Sequence, residues 1–135
     1  MSKINGIYAA SISILDENLK LDIHKTIRHA ENLIKSGCHG VVIFGSTGQS
    51  QLISLEEKFE LIQNISKSIF KDKFIIGTGL NSLQDTISLI KISNSYNFNN
   101  FLIMPPAYYM YEDKDVIRFY IKLIEKLSNC KIILY

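Results

Sequence analysis

The sequence predicts an α/β fold in which short parallel strands alternate with amphipathic helices. Two observations support this class: five apolar runs recur along the 135 residues, and residues with helical periodicity lie between them. The starts of successive runs are 34, 33, 27 and 31 residues apart, which matches βα units of about 30 residues. The runs are continuous rather than alternating, as is typical of parallel strands buried on both faces.

The predicted strands are, in chain order, Ile7 to Ile14, Val41 to Phe44, Phe74 to Gly77, Phe101 to Met104, and Ile132 to Tyr135. The stretches between them place apolar side chains on one helical face. The four stripes are Ile23, Ile27, Ala30 and Ile34; Leu55, Phe59, Ile62 and Ile69; Leu83, Ile87 and Ile90; and Val116, Tyr120, Leu123 and Leu127. No linker interrupts the series, so residues 1–135 are expected to form a single domain.

Three helix boundaries carry local signals. Gly37 is expected to end the first helix, because glycine adopts the left-handed conformation that closes many helices. Ser54 followed by Glu57 is a capping-box pattern for the start of the second helix. Ser82 followed by Asp85 is a looser version of the same pattern for the third.

The composition excludes several classes of protein. Hydrophobic residues make up 47% of the chain, and 15 basic against 13 acidic residues leave a net charge of +2, which is too mild to indicate nucleic-acid binding. The longest apolar runs fall well short of the roughly 20 residues of a membrane span, and the segment from Met1 to Gly6 lacks the apolar core of a secretory signal. Cys38 and Cys130 lie 92 positions apart, which fits no zinc motif and favours a reduced, cytoplasmic compartment. We therefore expect neither a metal nor a cofactor.

Five parallel strands are compatible with two architectures. One is an open, doubly wound sheet, and the other is the first part of a (β/α)8 barrel, which takes about 250 residues when complete. The repeat alone does not decide between them. The segment Lys131 to Tyr135 ends on a predicted strand, whereas open sheets commonly cover such an edge with a closing helix.

Polar residues gather at the predicted carboxyl ends of the strands, where parallel α/β folds carry their chemistry. Gly45-Ser46-Thr47-Gly48 follows the second strand, and its hydroxyls and backbone N–H groups suit a small carboxylate or phosphate. The same residues also suit a tight β–α connection in which the hydroxyls bond to the local backbone. Both interpretations remain open on this motif alone.

Three tyrosines lie at the ends of the fourth and fifth strands: Tyr108, Tyr109 and Tyr135. A phenol at a strand end can relay protons where a second hydroxyl is within reach, and it can equally serve as a packing residue of a loop or interface. Other polar residues are expected to be solvent-facing or capping: the histidines His24, His29 and His39, and the helix-start residues Glu56, Glu57 and Lys58.

The ordered set of motifs resembles the N-terminal half of the dihydrodipicolinate synthase and N-acetylneuraminate lyase family, over essentially the whole chain. The five segments that carry the resemblance are Ala9 to Asp22; Gly37 to Gly48, with Leu52, Ser54 and Glu56 to Lys58 following it; Gly77 to Ser82; Pro106 to Tyr108; and Ile132 to Tyr135. Five such landmarks in order are specific for the family, though not for one substrate.

The resemblance implies a (β/α)8 TIM barrel, here truncated to the first five strands and four helices. It implies a lyase or synthase that condenses pyruvate with an aldehyde through a lysine Schiff base, most similar to 4-hydroxy-tetrahydrodipicolinate synthase. Ser46, Thr47 and Gly48 would bind the pyruvate carboxylate, and Thr47 would join a proton relay with Tyr135. Tyr108 would reach the relay of a neighbouring subunit in a homo-oligomer, either a dimer or a homotetramer built from dimers. The partners would be small molecules, either pyruvate with an aldehyde or a 2-keto acid, with no nucleic acid and no membrane.

The sequence departs from the family pattern at several positions. Gln49 stands where glutamate is usual, Ala107 stands where an aromatic residue is common, and Ser13 begins a segment that is Thr-Pro-Phe in many members. Gly45-Ser46-Thr47-Gly48 leans slightly toward the sugar-acid lyases of the same family, so an N-acetylneuraminate or 2-keto-3-deoxy sugar acid lyase is the alternative.

The family's Schiff-base lysine belongs to the strand after the tyrosine strand, beyond Tyr135. Lys73 and Lys131 are expected at the amino ends of their strands, and Lys58 and other lysines on helices. Taken alone, residues 1–135 are therefore expected to be inactive and poorly soluble. A non-catalytic α/β module that binds a small anion, or an inactive fragment, remains as an alternative of another class.

Overall fold

A computed structural model describes residues 4–135. Residues 1–3, which belong to the predicted domain and to the segment Met1 to Gly6, lie outside the described residues. The strands are β1 (Tyr8–Ala10), β2 (Gly40–Ile43), β3 (Phe74–Gly77), β4 (Asn100–Ile103) and β5 (Lys131–Leu134). The helices are α1 (Ile23–Lys35), α2 (Leu55–Ile65), α3 (Leu83–Ser95) and α4 (Asp113–Lys126), with 3-10 turns at Ser50–Leu52 and Lys71–Lys73. The predicted alternation of strands and helices is confirmed.

The strand order decides between the two architectures that the repeat leaves open. The sheet runs β1-β2-β3-β4-β5, and every neighbouring pair is parallel. A doubly wound sheet reverses its strand order at a switch point, whereas a (β/α)8 barrel adds each strand beside the previous one. The chain therefore has the fold of the first part of a barrel.

The first strand is shorter than the predicted Ile7 to Ile14. After Ala10, the backbone of Ser11 still donates to Val42 O at 2.9 Å. Ile14 has left the sheet, because its N–H donates to the Thr26 hydroxyl of α1 at 3.0 Å. A long-range hydrogen bond to a helix thus ends the strand earlier than its apolar sequence alone predicts.

Local signals set the helix ends as expected. Ser54 accepts from Glu57 N at 3.2 Å while the Glu57 carboxylate accepts from Ser54 N at 2.9 Å, so the capping box is confirmed. Gly37 has φ of +109° and donates to Ile34 O at 3.1 Å, which closes α1. Ile69 was assigned to the second stripe incorrectly: α2 ends at Ile65, and Ile69 is 91% exposed in the turn that follows.

The helices cover one face of the sheet, and the apolar core lies between the two layers. Val41, Ile43, Phe101 and Ile103 of the strands are at most 2% exposed and belong to this core. Val42 and Leu102, which alternate with these residues and point the other way, are only partly buried, as expected of the interior face of a barrel that is not closed. Among residues 4–135, no helix is long and apolar enough to cross a membrane.

The histidines conform to the surface or capping role expected of them. His24 is exposed on α1 and His29 is partly buried on the same helix. His39 is exposed, and its Nδ1 accepts from the backbone N–H of Ile7 at 3.0 Å. That bond holds the chain before β1 against the turn before β2.

Candidate active site

The Gly45–Ser50 turn carries the hydroxyls that the sequence singles out. Ser50 N donates to Gly45 O at 3.4 Å, and Gln49 N donates to Ser46 O at 3.0 Å, so the turn closes on itself. Phe44 directly before the turn and Gln49 within it have φ of +56° and +49°. A left-handed conformation is uncommon for residues with large side chains and costs about 1–3 kcal/mol each. The surrounding contacts must therefore hold this turn in place.

Gly48 is required by the packing of the turn. It is buried, and a Cβ atom at this position would lie 2.9 Å from the backbone oxygen of Ser11. The Ser13 hydroxyl donates to Gly48 O at 2.6 Å. The segment after β1 thus supports the turn from beneath, while Ser46 and Thr47 remain exposed to solvent.

One hydrogen bond joins the turn to the far side of the sheet. Ser46 Oγ and Tyr135 OH lie 2.8 Å apart, and either can be the donor. Ser46 follows β2 and Tyr135 follows β5, which in a flat sheet would be three strand spacings, about 14 Å, apart. The sheet therefore curves enough for the two side-chain hydroxyls to meet, as at the mouth of a barrel.

The hydroxyl that contacts Tyr135 is not the one that the sequence analysis assigned. Thr47 was expected to join Tyr135, and the structure places Ser46 there instead. Adjacent side chains of a tight turn point in different directions, so motif spacing cannot tell which of two neighbouring hydroxyls faces a partner. The part of Thr47 in substrate binding stays a prediction.

Tyr108 lies in a separate loop after β4. It is 91% exposed with φ of +88°, and its ring meets that of Tyr109 edge to face at 5.1 Å between centroids. The Asn81 side chain accepts from Ala107 N at 2.8 Å and anchors this loop to the one after β3. Within residues 4–135, no hydrogen bond links Tyr108 to Ser46 or Tyr135.

A cleft of about 460 Å³ opens beside the Ser46–Tyr135 pair. Its lining includes Phe44, Ser46, Gln49, Leu102, Met104 and Tyr135. Met104, the last residue of the predicted fourth strand, is only partly buried and faces this cleft. A mostly apolar concavity with few polar groups is typical of small-molecule sites.

The prediction that Lys58 lies on a solvated helix face is wrong. It is fully buried, and its Nζ donates to Ser50 O at 2.7 Å. Burial lowers the pKa of Lys58 to about 8 against an opposing effect of Asp85 and Glu57. A signal was present in the sequence: Lys58 falls three residues after Leu55 and four before Ile62, on the buried stripe of α2.

Glu57 is not simply solvated either. Its carboxylate accepts from the backbone N–H of Leu21 at 2.8 Å, and this bond, together with those from Ser54, lowers the pKa of Glu57. Glu56, on the same turn, is exposed as expected.

Ser50, Thr78 and Gly79, to which the sequence assigned no role, also shape the site. The Ser50 hydroxyl donates to Thr78 O at 3.1 Å, which ties the Gly45–Ser50 turn to the end of β3. Gly79 has φ of +52°, and its Cα packs so closely on the Ser50 side chain that a Cβ would collide with it. The Thr78 hydroxyl is buried without a hydrogen-bond partner among the described residues.

Comparisons with known proteins agree with this geometry. The sequence pattern of the Dihydrodipicolinate synthetase family matches residues 3–135. The chain is 26% identical over 130 residues to 4-hydroxy-tetrahydrodipicolinate synthase of Desulforudis audaxviator, which covers 96% of this chain and 44% of that relative. The chain thus spans a little under half the length of the curated relative.

Two solved structures share the fold. Dihydrodipicolinate synthase from Agrobacterium tumefaciens superimposes with a TM-score of 0.88 at 22% identity, covering 96% of this chain and 47% of that one. A variant of Sulfolobus solfataricus 2-keto-3-deoxygluconate aldolase, solved as a pyruvate complex, gives a TM-score of 0.84 at 27% identity, covering 97% of this chain and 44% of that one. The first likeness shows the fold alone.

Proposed function

Because the chain belongs to the dihydrodipicolinate synthetase family, we propose that the protein containing it is a pyruvate-dependent aldolase of the 4-hydroxy-tetrahydrodipicolinate synthase type. In this proposal, residues 1–135 form one unit, the N-terminal portion of the barrel. The observation that carries the proposal is the hydrogen bond of 2.8 Å between Ser46 and Tyr135 at the carboxyl edge of the sheet.

In the proposed reaction, a lysine amine adds to the ketone carbon of pyruvate and forms a carbinolamine. The hydroxyl of that carbinolamine takes up a proton and leaves as water, which gives an iminium ion. Loss of a methyl proton then gives an enamine, whose carbon attacks the aldehyde. None of the lysines among residues 4–135 lines the cleft. In this proposal the amine therefore comes from another part of the protein.

The residues of the turn supply binding and proton transfer. The exposed hydroxyls of Ser46 and Thr47, together with backbone N–H groups of Ser46, Thr47 and Gly48, bind the pyruvate carboxylate through hydrogen bonds. Tyr135, paired with Ser46, passes the proton to the departing hydroxyl. The apolar wall of the cleft, with Leu102 and Met104, excludes water from the enamine.

Borohydride trapping tests the Schiff-base chemistry on the complete gene product. Pyruvate with borohydride should attach one reduced pyruvyl group to one lysine beyond Tyr135, located by mass spectrometry of peptides. Omission of either reagent provides the control. A complete, folded protein that forms no adduct would refute the proposal and favour a non-catalytic anion-binding module.

The alternative within the family is a 2-keto-3-deoxy sugar acid or N-acetylneuraminate lyase. It is supported by Ser46 in place of threonine and by the likeness to the 2-keto-3-deoxygluconate aldolase at 27% identity. Release of pyruvate from such sugar acids, measured beside condensation of pyruvate with aspartate semialdehyde, distinguishes the two. The better kcat/KM identifies the substrate class.

Tyr108 has a proposed part that requires a second subunit. Its 91% exposed ring suits contact with the relay of a neighbouring copy, in a dimer or in a homotetramer built from dimers. Native mass spectrometry of the complete protein tests the assembly. We also place the reaction in the cytoplasm, in keeping with free thiols at Cys38 and Cys130.

A further inference from the structure

A buried ammonium lies directly beneath the Gly45–Ser50 turn. Lys58 emerges from the first turns of α2 and is fully buried. Its Nζ donates to Ser50 O at 2.7 Å and lies 5.8 Å from the centroid of the Phe44 ring. Phe44 precedes the turn and Ser50 closes it, so one cation contacts both ends of the segment that carries Ser46.

These two contacts act where the backbone needs support. Phe44 is held at φ of +56° and Gln49 at +49°, conformations that persist only when surrounding contacts fix them. The ring of Phe44 gives the ammonium a favourable face, and the carbonyl of Ser50 gives it an acceptor. Both interactions depend on a cation or donor at the end of a long side chain.

Ser50 also links Lys58 to the end of the next strand, through a second group. Ser50 also donates its hydroxyl to Thr78 O at 3.1 Å, and Gly79 leaves space for that hydroxyl. A displacement of Ser50 would therefore move the turn away from β3. Because Ser46 reaches Tyr135 across β3 and β4, its position depends on the placement of the whole turn.

An apolar residue would fill this space at a lower desolvation cost. Taking an ammonium out of water costs several kcal/mol unless partners compensate for the lost hydration. The opposite charges that act on Lys58 are Asp85 of α3 and Glu57 of its own helix. The desolvation cost of this buried ammonium is explained if its contacts hold the Gly45–Ser50 turn in place.

We propose that Lys58 is a positioning residue, which holds the Gly45–Ser50 turn so that the Ser46 hydroxyl stays within hydrogen-bond distance of Tyr135. The effect on catalysis rests on the proposed function, whereas the effect on the turn does not. Lys58 itself does not line the cleft, so it acts through Ser46.

The test uses the complete gene product with Lys58→Met, Lys58→Arg and, as a matched control, Lys91→Met at an exposed position of α3. Amide hydrogen exchange at Gln49 and Ser50 reports on the two bonds that close the turn, and it needs no activity. We expect about tenfold faster exchange there in Lys58→Met, the equivalent of about 1.4 kcal/mol, with exchange in β4 unchanged. Lys58→Arg should restore most of the protection because it keeps the cation and donor, and Lys91→Met should match the wild type.

Turnover per trappable lysine is the second readout. A merely structural role would reduce the number of sites trapped by borohydride and leave the turnover per trapped site unchanged. A positioning role lowers kcat per trapped site, by about tenfold for Lys58→Met, with recovery in Lys58→Arg.

Each outcome decides one proposal. Unchanged exchange at Gln49 and Ser50 in folded Lys58→Met overturns the positioning role, whatever the activity. If the wild type forms no pyruvate adduct, the proposed function fails and the exchange data still decide the role of Lys58. If Lys58→Met does not fold, Lys58→Gln replaces it, since its shorter, uncharged side chain should give the same faster exchange.

Discussion

The hydroxyls of Ser46 and Tyr135 lie 2.8 Å apart, which allows one proton to pass between them. Tyr135 is 61% exposed, and its ring contributes little to the core. In the proposed function its phenol therefore serves proton transfer rather than packing. Removal of that single oxygen atom should affect proton transfer far more than folding.

Tyr135→Phe in the complete protein should lower kcat by about 10²-fold or more, the usual contribution of a positioned proton donor. The fold should be retained, as shown by an unchanged Tm. Tyr96→Phe, at a partly buried tyrosine after α3, is the matched control and should keep full activity. Equal activity of the two variants would exclude Tyr135 from the relay.

Lys58 makes the stability of the fold depend on pH in a defined window. Its pKa is lowered from the usual 10.5 to about 8, chiefly by burial. Between these values the unfolded chain binds more protons than the folded one, so the free energy of unfolding rises with pH. Below about pH 8 both states carry the proton, and the burial cost of the charge is present in full.

The wild type should therefore gain stability relative to Lys58→Met as pH rises from about 8 to 10.5. Other titrating groups cancel in the difference between the two proteins. Urea unfolding at a series of pH values measures it, and Lys91→Met should run parallel to the wild type. A difference that stays flat or falls through this window contradicts the lowered pKa.

At the scale of single elements, α2 shows how local and long-range contacts combine. Its capping box joins neighbours in sequence, and the pattern Ser54 with Glu57 predicts it. The bond from Leu21 N to Glu57 at 2.8 Å spans 36 positions. No local pattern can predict such a bond, because it depends on how the loop after β1 folds back.

Glu57→Ala should destabilise the protein by about 1–2 kcal/mol, since it removes half of the capping box and leaves the N–H of Leu21 unpaired. Glu56→Ala is the matched control, one position earlier on the same helix turn and exposed. It should change the free energy of unfolding by less than about 0.5 kcal/mol. Chemical denaturation measures both variants, and equal costs would show that the contacts of Glu57 contribute nothing.

The elements that the sequence predicts well are those set by neighbouring residues. β3 has the predicted bounds, Phe74 to Gly77, because apolar residues and turn signals delimit it on both sides. Ile69 was misassigned because periodicity does not reveal the turn that ends α2 at Ile65. Lys58 was predicted to be solvent-facing because it is charged, although its position lies on the buried stripe of α2.

At the scale of the whole molecule, pairing between distant segments decides the architecture. The repeat of about 30 residues predicts parallel strands, but it is the same for an open sheet and for a barrel. The sequential strand order and the contact between Ser46 and Tyr135 distinguish the two, and both depend on segments far apart in the chain. The resemblance to a known family supplied what the repeat could not.

The uncovered surfaces of this sheet have a physical consequence for residues 1–135 produced alone. Among residues 4–135, β1 and β5 each pair on one side only, and Leu134 and Tyr135 are 67% and 61% exposed. Unpaired strand edges and apolar surface favour association with other chains.

The isolated polypeptide should therefore self-associate at micromolar concentration, as measured by light scattering after gel filtration, and Leu134→Lys should reduce the association because a charge disfavours edge pairing. Leu52→Lys is the matched control, because Leu52 is 73% exposed but lies outside the strands. It should have less effect on the association. A monodisperse monomer with a cooperative melting transition would show that five strands and four helices are stable without further strands. The curvature that joins Ser46 to Tyr135 would then be a property of this sheet alone, and would not depend on closure of a barrel.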